Sequence, residues 1–487
     1  MLFTSFEFFL FLPITLLVFA AVPSKHRWLC LLASSYVFYG LWHTSNLIFL
    51  GAVTIVTYAS ARAIENVSER WRRAIFAGGL IVVLGSLLSL KYYDFAAAEL
   101  ERLMTPAGGA PFLTLSRIGV TAPAGYSFYA FSAASYLIDA YVRKLPATPG
   151  AGHVALYVAY FPKIFAGPIE RATSFLPQVR GVLFDPTQVL LGLQLFGFGL
   201  FKKLVIADNL APLVDHSFAI AAFATPMDLL ISVYFFAFQI YCDFSGYTDM
   251  AIGISLLFGI RLLENFRRPY LSRSTSEFWG ERWHISLSRW FRDYLYIPLG
   301  GSRQGLLRTY SNAMLVFLVS GLWHAGLGYG VGWGFLIWGA LNGIYQWIDL
   351  ATRPVGNFIS QKVPGFATSW GLSIIRVLLT FHLIAVTWIF FRAKSIGDAV
   401  LILRKLASYA SELPGLVMNY PFTSEHLIGF SLIALLVATE IADERRPIIQ
   451  RIAVAPIWLR WGLYYGVIFS VIILGRWQLK EFIYMRF

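Results

Sequence analysis

Charge is scarce in this chain: of 487 residues only 13% are Asp, Glu, Lys or Arg, while 57% are hydrophobic. A long soluble enzyme, with about a quarter of its residues charged, is excluded by that shortage. Mean hydropathy is +0.64, and apolar runs of roughly bilayer-spanning length recur from Leu2 to Gly475. The chain therefore reads as an all-α polytopic membrane protein. The short alternating strands of a membrane barrel are missing. So is any polar linker long enough to separate domains, and residues 1–487 are taken as a single membrane domain with a C-terminal tail at 476–487. The two cysteines, Cys30 and Cys242, lie in apolar stretches; they make no disulfide framework or metal site and read as core residues. The first residues lack a basic head, Glu7 being the only charge before Pro23, which predicts an uncleaved first span. No internal repeat is visible, which speaks against an inverted-repeat transporter.

What charge exists is lopsided, 39 basic against 26 acidic residues, or +13 net. The plain explanation is basic cytoplasmic loops. The sharper one is a docking surface for an acidic partner or a phosphate-bearing donor. Nucleic acid is not expected as a partner, since the charge is spread over many short loops and no recognition module is present.

The apolar runs Leu2–Val22, Trp28–Trp42, Thr44–Arg62 and Ala74–Tyr93 come first. Their basic loops at 23–27 and 62–73 place those loops in the cytoplasm and the N-terminus outside. Residues 94–120 read as a looser, partly interfacial segment. Ala124–Tyr141, rich in Tyr and Ser, faces protein, and the broken run Val154–Pro168 suggests a re-entrant piece. Leu229–Cys242 and Ala251–Ile260 flank a polar knot with Asp243 and Asp249, either a surface loop or a buried network. Residues 261–308 hold nine arginines and four acids among tryptophans and tyrosines, a mixture suited to an interfacial helix. Arg289 and Asp293, four apart, can pair on one helical face. Further runs are Tyr310–His324, Val331–Trp347, Ile374–Phe391, Ile428–Ile441 and Ile457–Gly475, after which the tail emerges outside. Roughly ten to twelve crossings are expected from about fourteen apolar stretches.

Of eight histidines, two sit where an imidazole is expensive. An ionisable group at bilayer depth marks a functional site by default. His324 lies in Gly321-Leu-Trp-His324, within a run broken by glycines at 321, 326, 328, 330, 332 and 334; these are read as space beside the ring. His382 is the rival, but its neighbours are bulky, and bonding to an adjacent helix explains it. The remaining histidines lie near loops, except His284. Its segment, Arg282-Trp-His-Ile-Ser-Leu-Ser-Arg-Trp-Phe-Arg-Asp293, read as a helix, puts His284, Ser288 and Arg292 on one face. That is either a polar interfacial helix or the inner mouth of a cavity beneath His324.

These motifs resemble the membrane-bound O-acyltransferase superfamily. His324 in Gly-Leu-Trp-His matches its characteristic histidine, and Arg282–Leu295 matches its second signature block. Met1–Pro13, Tyr160–Pro177, Gly199–Asn209 and Tyr241–Gly253 also match, in family order, and point to the branch containing alginate O-acetyltransferases. The resemblance implies a ring of helices around a central tunnel, with His324 in the tunnel and His284 nearer the cytoplasm. It makes both histidines catalytic candidates, with Trp323, Trp283, Arg282, Arg289 and Asp293 along the substrate path. Ala325 and Asn342 depart from the pattern, where relatives often carry Gly and His. The tail Glu481–Phe487 is similar to tails in this branch whose tyrosine relays the acyl group, which makes Tyr484 the relay candidate. An interfacial aromatic anchor is the alternative for Tyr484.

No Ser-His-Asp set or metal-ligand spacing accompanies the histidines, so the expected chemistry is general-base catalysis by a neutral imidazole, with no bound cofactor or metal. Trp323 and Arg282 are candidate oxyanion donors. The acyl donor is a cytoplasmic co-substrate, acetyl-CoA or an acyl-carrier thioester. The expected partners are that donor or carrier, an extracytoplasmic acyltransferase protein and membrane lipid. The expected function is O-acetylation of an extracytoplasmic polysaccharide or cell-wall glycan from the bacterial inner membrane, with both termini outside. D-alanyl transfer to a cell-envelope polymer and a transporter without chemistry are the alternatives.

Overall fold

Four glycines set how the middle of the molecule is assembled. A Cβ on Gly192 would lie 2.6 Å from the carbonyl oxygen of Gly253, and one on Gly199 would lie 2.6 Å from that of Gly246. The helices Pro186–Leu200 and Pro226–Leu257 thus meet backbone to backbone, the small-residue contact by which membrane helices associate. The computed structural model describes residues 1–105, 114–119, 122–145, 150–179, 185–325, 332–362, 369–478 and 481–483. Among these residues there is no strand, and seven helices are long and apolar enough to cross a membrane. The protein is a multi-pass, all-α membrane protein.

Pro226–Leu257 is the pillar. It opens with a reciprocal capping box between Thr225 and Asp228, with Pro226 in its first turn, so its N-terminal donors are satisfied. Of its most apolar window, 89% is buried. The polar knot falls inside this one helix and is a buried network, the second of the two readings. Asp243 pairs with Lys203 at 2.6 Å, Lys203 also reaches Asp208 at 2.9 Å, and Asp249 pairs with Lys202 at 2.6 Å. Both lysines lie in a π-helical stretch, Phe201–Ala207. The wider turn carries two consecutive lysines inward while the chain continues into Asp208–Ala219.

Other boundaries also differ from the expected ones. Glu69–Met104 is one helix that runs on into the start of the segment expected to be loose, as far as Met104. Tyr126–Tyr141 is buried along nearly its whole length, as a helix facing protein should be. After Ala151–Ala159 the chain turns through residues 160–169, all buried. At one face, the arginine-rich segment is tied to the end of Ser424–Arg445: Arg268 bonds Asp443 and lies 2.6 Å from Glu444, and Arg282 lies 2.8 Å from Glu444. At the other face, Arg392 pairs with Asp215 at 2.7 Å, and Lys405 caps the carbonyls of Ala221, Ala222 and Ala224. A cavity of about 690 Å³ lies there, lined by His216, Asp228, Tyr420 and His426 among others.

Candidate active site

His324 ends the helix Leu306–His324, which packs on Gly332–Lys362 through glycine. A Cβ on Gly321 would fall 2.4 Å from the Phe335 carbonyl oxygen, and one on Gly339 would fall 2.5 Å from that of Phe317. Here Gly321 serves close packing rather than open space. Gly326, Gly328 and Gly330 lie outside the described residues.

The last turn of that helix leaves carbonyls in need of donors. Three groups supply them. Nδ1 of His324 donates to the Ser320 carbonyl at 2.7 Å, the Lys91 ammonium donates to the Trp323 carbonyl, and the Tyr92 hydroxyl donates to that of Leu322. A carbonyl can only accept, so Nδ1 carries the proton and Nε2 carries the lone pair. Lys91, 6% exposed, sits 5.5 Å from the Trp323 ring. Sequence reasoning missed it, because it reads there as the end of a span; a lysine inside an apolar helix was the available signal.

His284 is placed differently from the helical expectation. Phe278–Arg282 is a π-turn, Trp283 is extended, and His284 is left-handed at φ +44°. Only then does a short helix, Ile285–Phe291, begin. His284, Ser288 and Arg292 therefore share no continuous helical face. Asn265 holds the irregular corner: its Oδ1 accepts the backbone N–H of Ser286 at 3.1 Å, the Ser286 hydroxyl at 2.9 Å and Nδ1 of His284 at 3.0 Å. Because that oxygen only accepts, His284 too carries its proton on Nδ1. Nothing in the sequence singled out Asn265.

The two imidazoles flank Trp323, whose ring centroid is 4.7 Å from that of His324 and 6.3 Å from that of His284. Both are 2% exposed. Their walls are aromatic: Trp338 and Phe391 lie beside His324, and Phe244, Phe128 and Phe266 beside His284. Trp283 joins this cluster through Trp388, at 5.1 Å. The indole N–H groups of Trp323, Trp338 and Trp388 are buried without a hydrogen-bond partner among the described residues. Unmatched buried donors of this kind suit a carbonyl oxygen or an oxyanion.

Other candidates are held elsewhere. Arg282 is engaged by Glu277 at 2.7 Å and Glu444 at 2.8 Å, so its donors fasten the arginine-rich face instead of serving an oxyanion. Asp293 pairs with Arg292 at 2.9 Å and approaches Arg171 at 3.6 Å, not Arg289, which is exposed. The reason is the π-turn at Arg292–Tyr296, which breaks the four-residue register. His382 donates to the Leu378 carbonyl at 2.7 Å and bonds Tyr234 on the neighbouring helix at 3.0 Å, as expected for a structural histidine. Asn342 accepts the indole N–H of Trp279 at 2.9 Å, so where relatives often carry His this chain has a packing amide. Tyr484 lies outside the described residues. The tail just before it turns inward, with Phe482 and Ile483 only 1% and 4% exposed.

Comparison with known proteins bears on this arrangement. The family model for membrane-bound O-acyltransferases matches residues 28–391. A probable alginate O-acetylase of Azotobacter vinelandii is 38% identical over 82% of this chain and 76% of its own length. A peptidoglycan O-acetyltransferase of Helicobacter pylori is 32% identical over 82% of this chain and 78% of its own length. A teichoic acid D-alanyltransferase of Bacillus subtilis is 23% identical over 55% of this chain and 68% of its own length. With the family match running through both histidine segments, the chain belongs to the membrane-bound O-acyltransferase family.

Proposed function

We propose that this O-acyltransferase takes an acyl group, acetyl in the first instance, from a cytoplasmic thioester and delivers it across the bacterial inner membrane for O-acetylation of an extracytoplasmic polysaccharide or cell-wall glycan. The observation that carries the reading is the tautomer at His324: Nδ1 donates to Ser320, which puts the lone pair of this buried ring on Nε2, among aromatic side chains. The relatives act on alginate and peptidoglycan by their names, which favours acetyl and a glycan.

In the chemical step the oxygen of an acceptor hydroxyl bonds to the thioester carbonyl carbon while Nε2 of His324 takes its proton. The tetrahedral oxyanion accepts the Trp323 indole N–H. The carbon–sulfur bond then breaks, and the proton on Nε2 passes to the leaving thiolate. A positioned base contributes roughly 10²–10⁴ in rate, and an oxyanion donor roughly 10²–10³. His284, turned by Asn265 with its own Nε2 unprotonated, is the group that can relay this same proton from His324 to the thiolate on the cytoplasmic side. The acceptor hydroxyl in this first transfer is the tail phenol of Tyr484, which hands the acyl group on to a partner enzyme outside.

Sealed inverted vesicles containing the protein, given radiolabelled acetyl-CoA on the exposed cytoplasmic face, test this. Label should appear on the C-terminal peptide, accumulating when the outer acceptor enzyme is deleted. Label that never appears on the tail while glycan acetylation continues would remove the relay. Uptake of label by right-side-out vesicles alone would reverse the direction. The D-alanyl alternative predicts labelling by a D-alanyl carrier thioester and none by acetyl-CoA.

A further inference from the structure

The pillar helix carries a second assembly, one residue away from the Phe244 that packs on His284. The last span ends at Leu474, and the chain is caught at once. Asn209 donates to the Leu474 carbonyl at 2.8 Å, Arg476 N–H donates to the Leu204 carbonyl at 3.1 Å, and Arg476 Nε donates to Asn209 at 2.9 Å. The tail then returns to the interior. Ile483 N–H donates to Oδ2 of Asp243 at 2.7 Å. The other oxygen of Asp243 is held by Lys203 at 2.6 Å, and the same ammonium lies 4.6 Å from the centre of the Phe482 ring. Phe482 also packs edge-on against Tyr247 at 4.8 Å, and Tyr247 stacks on Phe3 at 4.8 Å.

The depth is informative. Asp243 lies near the midpoint of Pro226–Leu257, about 25 Å from its start at 1.5 Å per residue. A backbone amide that far inside must find an acceptor, and a carboxylate gives the stronger, charge-assisted bond. Lys203, shared between Asp243 and Asp208, holds that carboxylate in place, so the slot suits a segment with an aromatic residue followed by a backbone N–H that needs an acceptor. Phe244, the next residue, touches the His284 ring at 4.7 Å.

We infer that Asp243 and Lys203 are positioning residues that seat the tail at Phe482–Ile483 and so fix where the following residue meets the acyl group. The role in transfer rests on the relay reading above; the seat itself does not.

The test uses the full-length protein with Cys30→Ser, Cys242→Ser and Ile483→Cys, the last a change that keeps the backbone N–H. A water-soluble maleimide should label Cys at 483 slowly. Asp243→Leu should speed labelling at least tenfold and cut acyl adducts on the tail in parallel. Asp243→Asn, which retains a carbonyl acceptor, should restore slow labelling. Phe482→Ala leaves the ion network intact and should also speed labelling, which keeps the test decisive if Asp243→Leu does not accumulate. Equal labelling rates in all variants would overturn the seat. Faster labelling with wild-type tail acylation would overturn the positioning role. Faster labelling with no acyl group on the tail even in the parent would sink the relay reading alone and leave the seat standing.

Discussion

His284 offers a substitution series in which stability and activity should move in different directions. Among the described residues it is one of three non-glycine positions with positive φ, at +44°, a conformation that costs an L-residue about 1–2 kcal/mol. Any truncation loses the bond to Asn265, worth about 0.5–1.5 kcal/mol, and the ring contacts with Phe244 and Trp323. Glycine regains the backbone strain, asparagine tolerates the left-handed region, and alanine does neither. His284→Gly and His284→Asn should therefore be more stable than His284→Ala by about 1 kcal/mol, a shift of only a degree or two in Tm for a chain this long. Activity should ignore that ranking: all three lose the imidazole and should fall by about 10²–10⁴ if it moves a proton. Thermal unfolding in detergent and O-acetyl content of the glycan from cells carrying each variant measure the two quantities. Activity within about threefold of wild type in the asparagine variant would refute proton transfer by His284. Alanine melting above glycine would refute the strain argument.

Other predictions follow from the same contacts. Trp323→Phe keeps the ring between the two histidines but removes a buried donor; turnover should drop by about 10²–10³ with little change in apparent donor affinity, read by vesicle kinetics. Lys91→Met removes the donor to the Trp323 carbonyl and should cost about 10²-fold through misplacement of His324, with Lys91→Gln intermediate. Gly253→Ala, whose Cβ would meet the Gly192 carbonyl at 2.5 Å, should destabilise by about 1–3 kcal/mol; Gly197→Ala, with nothing within 4 Å, should be neutral or slightly stabilising in the same unfolding assay.

Much of this was legible because hydrophobic length and costly polar residues are signals that survive in a single sequence. The membrane class, the buried setting of His324 and the protein-facing run Ala124–Tyr141 all came from such signals. What escaped depends on pairings between distant segments. The Asp243–Asp249 stretch reads alone as a loop or a network, and only its pairing with the distant Lys202 and Lys203 makes it a network. Arg289 and Asp293 looked like helical partners because spacing assumes regular turns, and a π-turn moved Asp293 to Arg292 and Arg171. The glycines near His324 suggested space, but Gly321 marks contact, since a missing side chain admits either a cavity or a neighbouring backbone. Asn265, three donors converging on one oxygen, has no local signature at all.

The central claim is that Nε2 of His324 is the base. His324→Gln tests it most directly, because the amide can still donate to the Ser320 carbonyl while offering no imidazole lone pair. Glycan O-acetylation should fall at least a hundredfold in cells while the purified variant melts as the wild type does. Acetylation within a few fold of wild type, in a folded variant, would contradict the account.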